Sequence, residues 1–346
     1  MELNDIKVRL QEHLSDGLVT VIGSGLSCAE GLPDMTELAN HLCTVVGASL
    51  VGSDVALWAD IEPLIRSKGI EAALLEKAPS ATLESTIANA TADLISERER
   101  AVIAEVFAGT RTLRLTRLIA HLLKPSSGVP LITTNYDRLV EIAAEEAGLG
   151  VDTMFIGRYA GVLNERESRL SFCRDVKLKK SRVIYHYQPR AFVCKPHGSL
   201  DWYLRNGKPI HHAGDIPKAT RLIITPGQNK FRNGYESPFD HHRSRANDSI
   251  DRASRFLILG YGFNDDHLET HLSPAIKSGK PTLLITYALS KVAEALATSH
   301  ANVIALERAN EAGIDGTRAI ADKVSTFFPG LALWDVNSFV SEVLEP

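Results

Sequence analysis

The sequence has no uninterrupted apolar run near the roughly 18 residues that a membrane-spanning helix requires. It opens Met1-Glu2-Leu3-Asn4-Asp5, on acids, without the cationic stretch and apolar core of a secretory leader. Cysteine is scarce. Cys28, Cys43, Cys173 and Cys194 are the whole set, and no two of them form a C-x-x-C pair, which argues against a disulfide scaffold and against a structural zinc module. The expectation is a cytoplasmic protein with reduced thiols, no membrane contact and no bound metal.

What is present suits a folded globular protein. The 346 residues are 44% hydrophobic and 23% charged, and the length fits one large domain or about two. A net charge of −4 conceals a division. Residues 151–260 hold 20 Lys and Arg against 10 Asp and Glu, a net of +10, whereas residues 1–150 carry −9 and residues 261–346 carry −5. A basic middle is flanked by acidic ends.

Leu3, Ile6, Leu10 and Leu14 recur at helical spacing and predict an amphipathic first helix. Short apolar runs, each ending in Gly, Pro, Asn, Asp or similar residues, then occupy Leu18–Ile22, Pro130–Thr133, Phe192–Lys195, Leu222–Thr225, Phe256–Leu259, Thr282–Thr286 and Val303–Leu306. Their length and β-branched content suit buried parallel strands. Helical patterns at Met35–Val46, Tyr136–Ala147, Asp266–Lys277 and Lys291–Ser299 separate several of them. The alternation predicts an α/β fold, a Rossmann-like, doubly wound and mostly parallel sheet.

Residues 47–125 are rich in Ala, Leu, Glu and Arg and predict a helical insertion between the two parts, 1–46 and 126–330, of the sheet domain. Residues 157–190 are basic and irregular and suit a hairpin or a partly mobile excursion. The segment 331–346 offers Leu331, Leu333, Trp334, Val336, Phe339 and Val340, either as an assembly surface or as packing on its own domain.

Four motifs fall at predicted strand ends, where an open α/β sheet gathers its ligands. Gly23-Ser24-Gly25-Leu26-Ser27 follows the first strand. Its glycines allow backbone N–H groups close to a pyrophosphate, or simply make a tight turn. Thr133-Thr134-Asn135-Tyr136-Asp137 follows the second, where Asn135 or Thr134 could also cap the next helix. Lys195-Pro196-His197-Gly198-Ser199 brings a histidine, a side chain that exchanges protons near neutrality. Gly260-Tyr261-Gly262-Phe263-Asn264-Asp265-Asp266 is a glycine-rich turn leading into acids, able to hold a ribose and phosphate or to cap a helix.

Other histidines carry less. His267 and His271 lie four apart without the H-E-x-x-H pattern of a zinc site. His211-His212 and His241-His242 read as solvated loop residues. Cys28 has no neighbouring base in sequence and reads as a small buried filler.

In this order the four motifs resemble the sirtuin (SIR2) family, and more closely its prokaryotic SIR2-like branch than the protein deacylases. Gly23 through Asp34 is similar to the sirtuin glycine loop with its G-x-P-D continuation, Thr133–Asp137 to the T-x-N-x-D element, and His197-Gly198 to the catalytic pair. Gly260–Asp266 is similar to the late glycine-rich turn on the adenosine side. The resemblance implies NAD+ as substrate, lying across the sheet's carboxyl edge. It implies that Gly23, Ser24, Gly25 and Ser27 hold the pyrophosphate and that Asp34 lies on a loop over the nicotinamide ribose. Asn135, with Thr134, would position a ribose hydroxyl or attacking water, and Asp137 would contact the carboxamide. His197 would be the general base or would orient a hydroxyl, and Gly260, Gly262 and Asn264 would serve the adenosine side.

The deacylases carry a zinc module with two C-x-x-C pairs, which this sequence lacks. That departure favours water as nucleophile, hence an NAD+ glycohydrolase of the type used in antiphage defence. The alternatives are a deacylase without zinc and a non-catalytic nucleotide-binding assembly subunit. Family precedent further implies a homo-oligomer with a separate activating subunit, a HerA-like ATPase rather than a short Argonaute. Direct nucleic-acid contact is not expected. The basic stretch encloses His197, so part of it should border the nicotinamide side of the crevice and draw in NAD+. Its dense run Lys177, Lys179, Lys180 and Arg182 could instead meet an acidic partner subunit, an acidic end of a neighbouring copy or nucleic acid, or be plain solvated surface.

Overall fold

The computed structural model describes residues 2–216, 219–225 and 236–345. The strands in chain order are β1 (Leu18–Ile22), β2 (Val129–Thr133), β3 (Gly150–Asp152), β4 (Phe155–Ile156), β5 (Gly161–Leu163), β6 (Cys173–Lys179), β7 (Arg182–Tyr187) and β8 (Arg190–Cys194). They continue with β9 (Gly198–Arg205), β10 (Lys208–His211), β11 (Arg221–Ile223), β12 (Arg255–Leu259), β13 (Thr282–Ile285), β14 (Val303–Glu311), β15 (Ile314–Ala321) and β16 (Val324–Pro329).

Nine strands form the main sheet in the order β16-β15-β14-β13-β12-β1-β2-β8-β3. From β14 across to β3 every pair is parallel. The sheet is buried on both faces, which is why these strands read as unbroken apolar runs. Alternate residues serve alternate faces. Ile22, Leu131, Leu257 and Leu283 pack under helices Leu3–His13, Arg114–His121 and Leu139–Glu146. Val19, Val21, Phe256, Ile258 and Leu284 pack against helices Phe239–Arg252, Asp266–Lys277 and Lys291–Ser299. This is the predicted doubly wound α/β architecture. The chain winds outward from β1 through β2 and β8 on one side and from β12 through β13 and β14 on the other. The direction reverses between β1 and β12, so the crevice beyond their carboxyl ends is where such a sheet binds ligands.

Four elements depart from expectation. Leu222–Thr225 contributes only the short β11, which is antiparallel to β9 in a second sheet, β11-β9-β10-β5-β4. An apolar run this brief fits either pairing, and here its side chains join Phe155, Trp202 and Phe239 in a small separate core. Two edge strands, β15 and β16, extend the sheet antiparallel to β14. Their hairpin turns place Ala312, Gly313, Asp322 and Lys323 at φ of 52°, 82°, 51° and 68°, using Ala-Gly and Asp-Lys, a less conspicuous turn signal than Asn-Gly. The helix expected from Tyr136 begins at Leu139, because Tyr136 and Asp137 are spent in the loop described below.

Within 47–125 lie helices Ser53–Lys68, Ile70–Glu76, Ala81–Phe107 and Arg114–His121. Trp58, Ile61, Leu83 and Ile87 share a core with Leu38 and Leu42 of helix Met35–Val45. β6 and β7 pair only with each other, in an almost wholly exposed hairpin that carries Lys177, Lys179 and Arg182. At the C-terminus, Leu333, Val336, Phe339, Val340 and Val343 are buried in the main core beside Ile6 and Leu10. Those side chains pack on their own chain and offer no apolar assembly face. No helix among the described residues is long and apolar enough to cross a membrane.

Candidate active site

β1 and β12 end against each other at glycine. The Gly23 N–H donates to the Leu259 carbonyl at 2.9 Å and the Gly25 N–H to the Gly260 carbonyl at 3.0 Å. A Cβ on Gly23 would lie 2.5 Å from the Gly260 oxygen, and one on Gly260 would lie 2.6 Å from the Leu26 nitrogen. Side chains are excluded here by backbone, so the glycines of both motifs serve one close crossing of two loops. The sequence between β1 and the next long helix is itself partly helical. A single short turn, Ser24–Ala29, begins inside the glycine loop.

Asn135 sits 7% exposed at the end of β2. Its Nδ2 donates to the Gly23 carbonyl at 3.0 Å and to Ser27 Oγ at 2.8 Å, while its N–H donates to Thr133 Oγ1 at 3.1 Å. Both amide hydrogens are thereby committed, leaving Oδ1 as the acceptor. Ser27 Oγ donates in turn to Asp137 Oδ2 at 2.7 Å, and Asp137 Oδ1 accepts the Leu139 N–H at 3.2 Å. Neither Asn135 nor Thr134 caps the following helix, whose N-cap is Arg138, and the burial of Asp137 is explained by internal bonds. Asn135, Ser27 and Asp137 form one network joining the first two motifs.

His197 follows β8, with Nε2 in direct contact with Asp265 Oδ2; the two side chains are 13% and 5% exposed. Asp265 Oδ1 accepts the His267 and Leu268 N–H groups at 2.9 and 3.1 Å, capping helix Asp266–Lys277. One carboxylate thus starts a helix and orients a histidine. Asp265 was legible as part of the fourth motif, but only as a helix cap; its histidine contact joins motifs far apart in sequence. The neighbouring Phe263 is buried at φ 60°, a left-handed conformation that a bulky residue adopts only under constraint.

A cleft of about 250 Å³ connects these groups. Gly23, Ser24, Ser27, Thr134, Asn135, Asp137, His197, Gly262, Asn264 and Asp265 all line it. Gly25 and Gly260 lie beside it in the loop crossing. Asp34 is exposed, and its carboxylate accepts the Thr36 and Glu37 N–H groups, both at 2.8 Å, between the lining residues Pro33 and Met35. Among the described residues no Lys or Arg lines the cleft, so the expectation that the basic stretch borders it is not met there; Lys230 and Arg232 lie outside the described residues.

Lys195 lies close behind the site. It is fully buried, with Nζ bonded to the Asp137 carbonyl and to Glu141 Oε1, the latter at 2.9 Å. Burial pushes the Glu141 carboxyl up, against the pull of Lys195. The T-x-N-x-D loop is clamped from its other side by Glu99, on helix Ala81–Phe107, which takes Arg138 in a two-pronged pair with contacts of 2.6 and 3.0 Å. Lys195 opens the third motif with no role assigned to its charge, and nothing in the sequence around Glu99 marks a buried acid.

Several minor readings change. His242 is fully buried on helix Phe239–Arg252, its Nδ1 accepting the Lys195 N–H at 3.1 Å and its ring 4.4 Å from Trp202. His211 ends β10 with Nε2 3.0 Å from the buried Asp201. Neither is a solvated loop residue, because tertiary packing places polar-looking dipeptides against buried partners. Cys28 is half-buried; burial first, then the Asp34 and Asp137 charges, push its thiol up to about 11. It stays protonated and unsuited to nucleophilic attack. His271 pairs with Asp251 at 2.9 Å, and the described residues hold no group of His, Cys, Asp and Glu arranged for a metal.

The SIR2-like domain family matches residues 130–308 of this chain. No curated protein matches it. Among solved structures, a Sir2 homologue in complex with NAD is 15% identical, with a TM-score of 0.41 over 83% of this chain and 84% of that one. A mutant Sir2 homologue in complex with ADP-ribose is 14% identical, with a TM-score of 0.43 over 85% and 88% of the two chains.

Proposed function

The chain belongs to the SIR2-like domain family, and from that premise we propose that it is an NAD+ glycohydrolase, cleaving the bond between nicotinamide and ribose to give nicotinamide and ADP-ribose. The observation that carries this reading is the convergence of Asn135 and the His197–Asp265 pair on one cleft at the sheet's switch point.

The chemistry needs little beyond orientation and one base. The C1′–N bond breaks with its electron pair passing to the ring nitrogen, so neutral nicotinamide leaves. Water attacks C1′ and gives up a proton. Asn135 Oδ1, left free by the two bonds of Nδ2, accepts a hydrogen bond from that water or from a ribose hydroxyl. His197 takes the proton, with Asp265 holding the ring and balancing its charge. Gly23, Ser24 and Ser27, which line the cleft beside this crossing, hold the pyrophosphate in this reading. Water is preferred over an acyl-lysine because the four cysteines offer no C-x-x-C pair for the deacylase zinc module.

Unregulated NAD+ hydrolysis would poison the cell that made it, so gating belongs to the proposal. We place the protein in the cytoplasm as an antiphage-defence effector, a homo-oligomer switched on by a separate subunit such as a HerA-like ATPase. The deciding assay follows nicotinamide release from NAD+, with and without that subunit and with and without an acylated peptide. Release without peptide is the expected result. Release only with peptide indicates a deacylase, and NAD+ binding without turnover in every condition indicates a non-catalytic subunit. Removing a base typically costs about 10²–10⁴-fold; His197→Ala and Asn135→Ala retaining full turnover would overturn the site.

A further inference from the structure

Four arginines of the basic middle stretch line a cavity at the end of the sheet opposite the cleft. Arg190 opens β8, and its guanidinium donates to the Ser126 and Ser127 carbonyls, both at 3.0 Å, and lies 4.6 Å from the centre of the Tyr187 ring. Arg245 lies 5.2 Å from the Phe192 ring and pairs with Glu165 at 2.9 Å. With Arg169 and Arg252 they line a cavity of about 390 Å³, walled by Tyr185 and Tyr187 of the exposed hairpin. Among the described residues two acids line it. Glu165 is matched to Arg245, and Asp152 lies 3.7 Å from Arg190 while accepting Ser168 Oγ at 2.7 Å. Arg252 has its acidic neighbour, Asp248, outside this cavity at 4.0 Å, so the lining carries four arginines against two acids. Burial, together with the nearby charge of Arg169 and against Asp152, holds the Arg190 guanidinium below its ordinary value.

A second cavity, of about 260 Å³, shares Ser127, Phe192, Arg245 and Arg252 with the first. Its other walls are largely apolar, from Leu18, Leu122, Val129 and Pro130, with Asp16 and Asp248 as hydrogen-bond acceptors. Asp248 lies 3.5 Å from Arg245 and 4.0 Å from Arg252. The two cavities together present an aromatic and cationic half joined to an apolar half that carries acceptors.

We propose that this end of the sheet is a second ligand site, taking a nucleoside phosphate with its phosphates among Arg169, Arg190 and Arg252 and its nucleoside in the apolar half. Guanidinium groups recognise phosphate oxygens in a bidentate fork. A base fills an apolar slot, and its amino group or the ribose hydroxyls donate to Asp16 and Asp248. The same strand that leaves this site at Leu18 reaches the catalytic cleft at Gly23, so the two sites are separated by the length of β1.

The test is calorimetric titration of the full chain with ADP and, separately, with inorganic phosphate. Arg169 is exposed and the Arg252 side chain is 80% exposed, so Arg169→Glu/Arg252→Glu should leave the thermal midpoint unchanged. The double variant is expected to weaken one ADP-binding event at least tenfold, and Asn135→Ala to leave that event intact. The proposal is overturned if ADP binding survives the charge reversal, or if it is lost in Asn135→Ala, which puts ADP in the catalytic cleft. Phosphate binding as tightly as ADP overturns the nucleoside half, leaving an adventitious anion only.

Discussion

Asp265 spans two motifs: Oδ1 receives the first N–H groups of helix Asp266–Lys277, and Oδ2 faces His197 Nε2. The two duties separate by substitution. Asp265→Asn keeps an acceptor for the cap and removes the charge beside the imidazole. It should lower kcat for nicotinamide release by about 10–10²-fold, a fraction of the full effect of a base, with KM for NAD+ little changed. Asp265→Ala loses the cap as well and should also cost about 1 kcal/mol of stability. A purely structural Asp265 would show unfolding changes in both variants and no selective fall in kcat.

The crossing of Gly23 and Gly260 predicts intolerance of a single methyl. Gly260 is at φ 56°, and its Cβ would meet backbone nitrogen at 2.6 Å. Left-handed strain of about 1–2 kcal/mol adds to overpacking of about 1–3 kcal/mol. Gly260→Ala should therefore lose about 2–5 kcal/mol in denaturant unfolding. Gly313→Ala, at φ 82° with open space around it, has only the strain to bear, and should lose about 1–2 kcal/mol.

Much of the site was legible because the doubly wound sheet converts strand ends into neighbours. Gly23, Asn135, His197 and Gly262 each follow a short apolar run, and parallel pairing brings them to one edge. Charge was less legible. Lys195 and Glu99 look like surface residues by type, and only packing shows that both are buried behind the Asn135 loop. The basic composition of residues 151–260 suggested a cationic wall to the cleft, yet Arg169, Arg190, Arg245 and Arg252 line a cavity at the other end, because a strand such as β8 begins with Arg190 and delivers His197 beyond its far end. Composition records how much charge a segment carries, and register decides where it goes. The hairpin β15–β16 was missed for a related reason. Its exposed edge residues dilute the apolar signal, and its turns lack Asn-Gly.

The Glu99–Arg138 pair ties the long helix Ala81–Phe107 to the loop that holds Asn135. Glu99 is fully buried, and its oxygens receive the Arg138 backbone N–H as well as the guanidinium. Removing one member of such a pair strands the other, at about 3–5 kcal/mol. Glu99→Ala should fall in that range by chemical denaturation. Glu99→Gln, which keeps acceptors and shape, should be milder. If Glu99→Ala costs under 1 kcal/mol, the helix is not clamping the loop.

Two histidines predict opposite responses to pH. His13 is 6% exposed, with Nε2 2.8 Å from the Phe256 carbonyl, and burial lowers its pKa from 6.5 to about 4. Above 6.5 it is neutral in both states and contributes no pH dependence. As pH falls from 6.5 towards 4, the unfolded chain takes a proton that the folded chain resists, so stability drops, by about 3 kcal/mol in full. Buried His242, lowered the same way, adds to this acid loss. His211 runs the other way. Burial alone would lower it, but hydrogen bonding and charge from Asp201 raise it above 6.5. Burial would raise Asp201, yet His211 and Lys195 hold it down to about 2, so it remains charged throughout this range. The stability from His211 is therefore fully present below 6.5 and is lost as pH rises through its raised value. Denaturant unfolding of His13→Gln and His211→Gln at several pH values between 5 and 9 separates them. Relative to wild type, His13→Gln should gain as pH falls, and His211→Gln should be most costly in acid, its deficit shrinking in alkali. Parallel curves for the two variants would exclude the assigned protonation states.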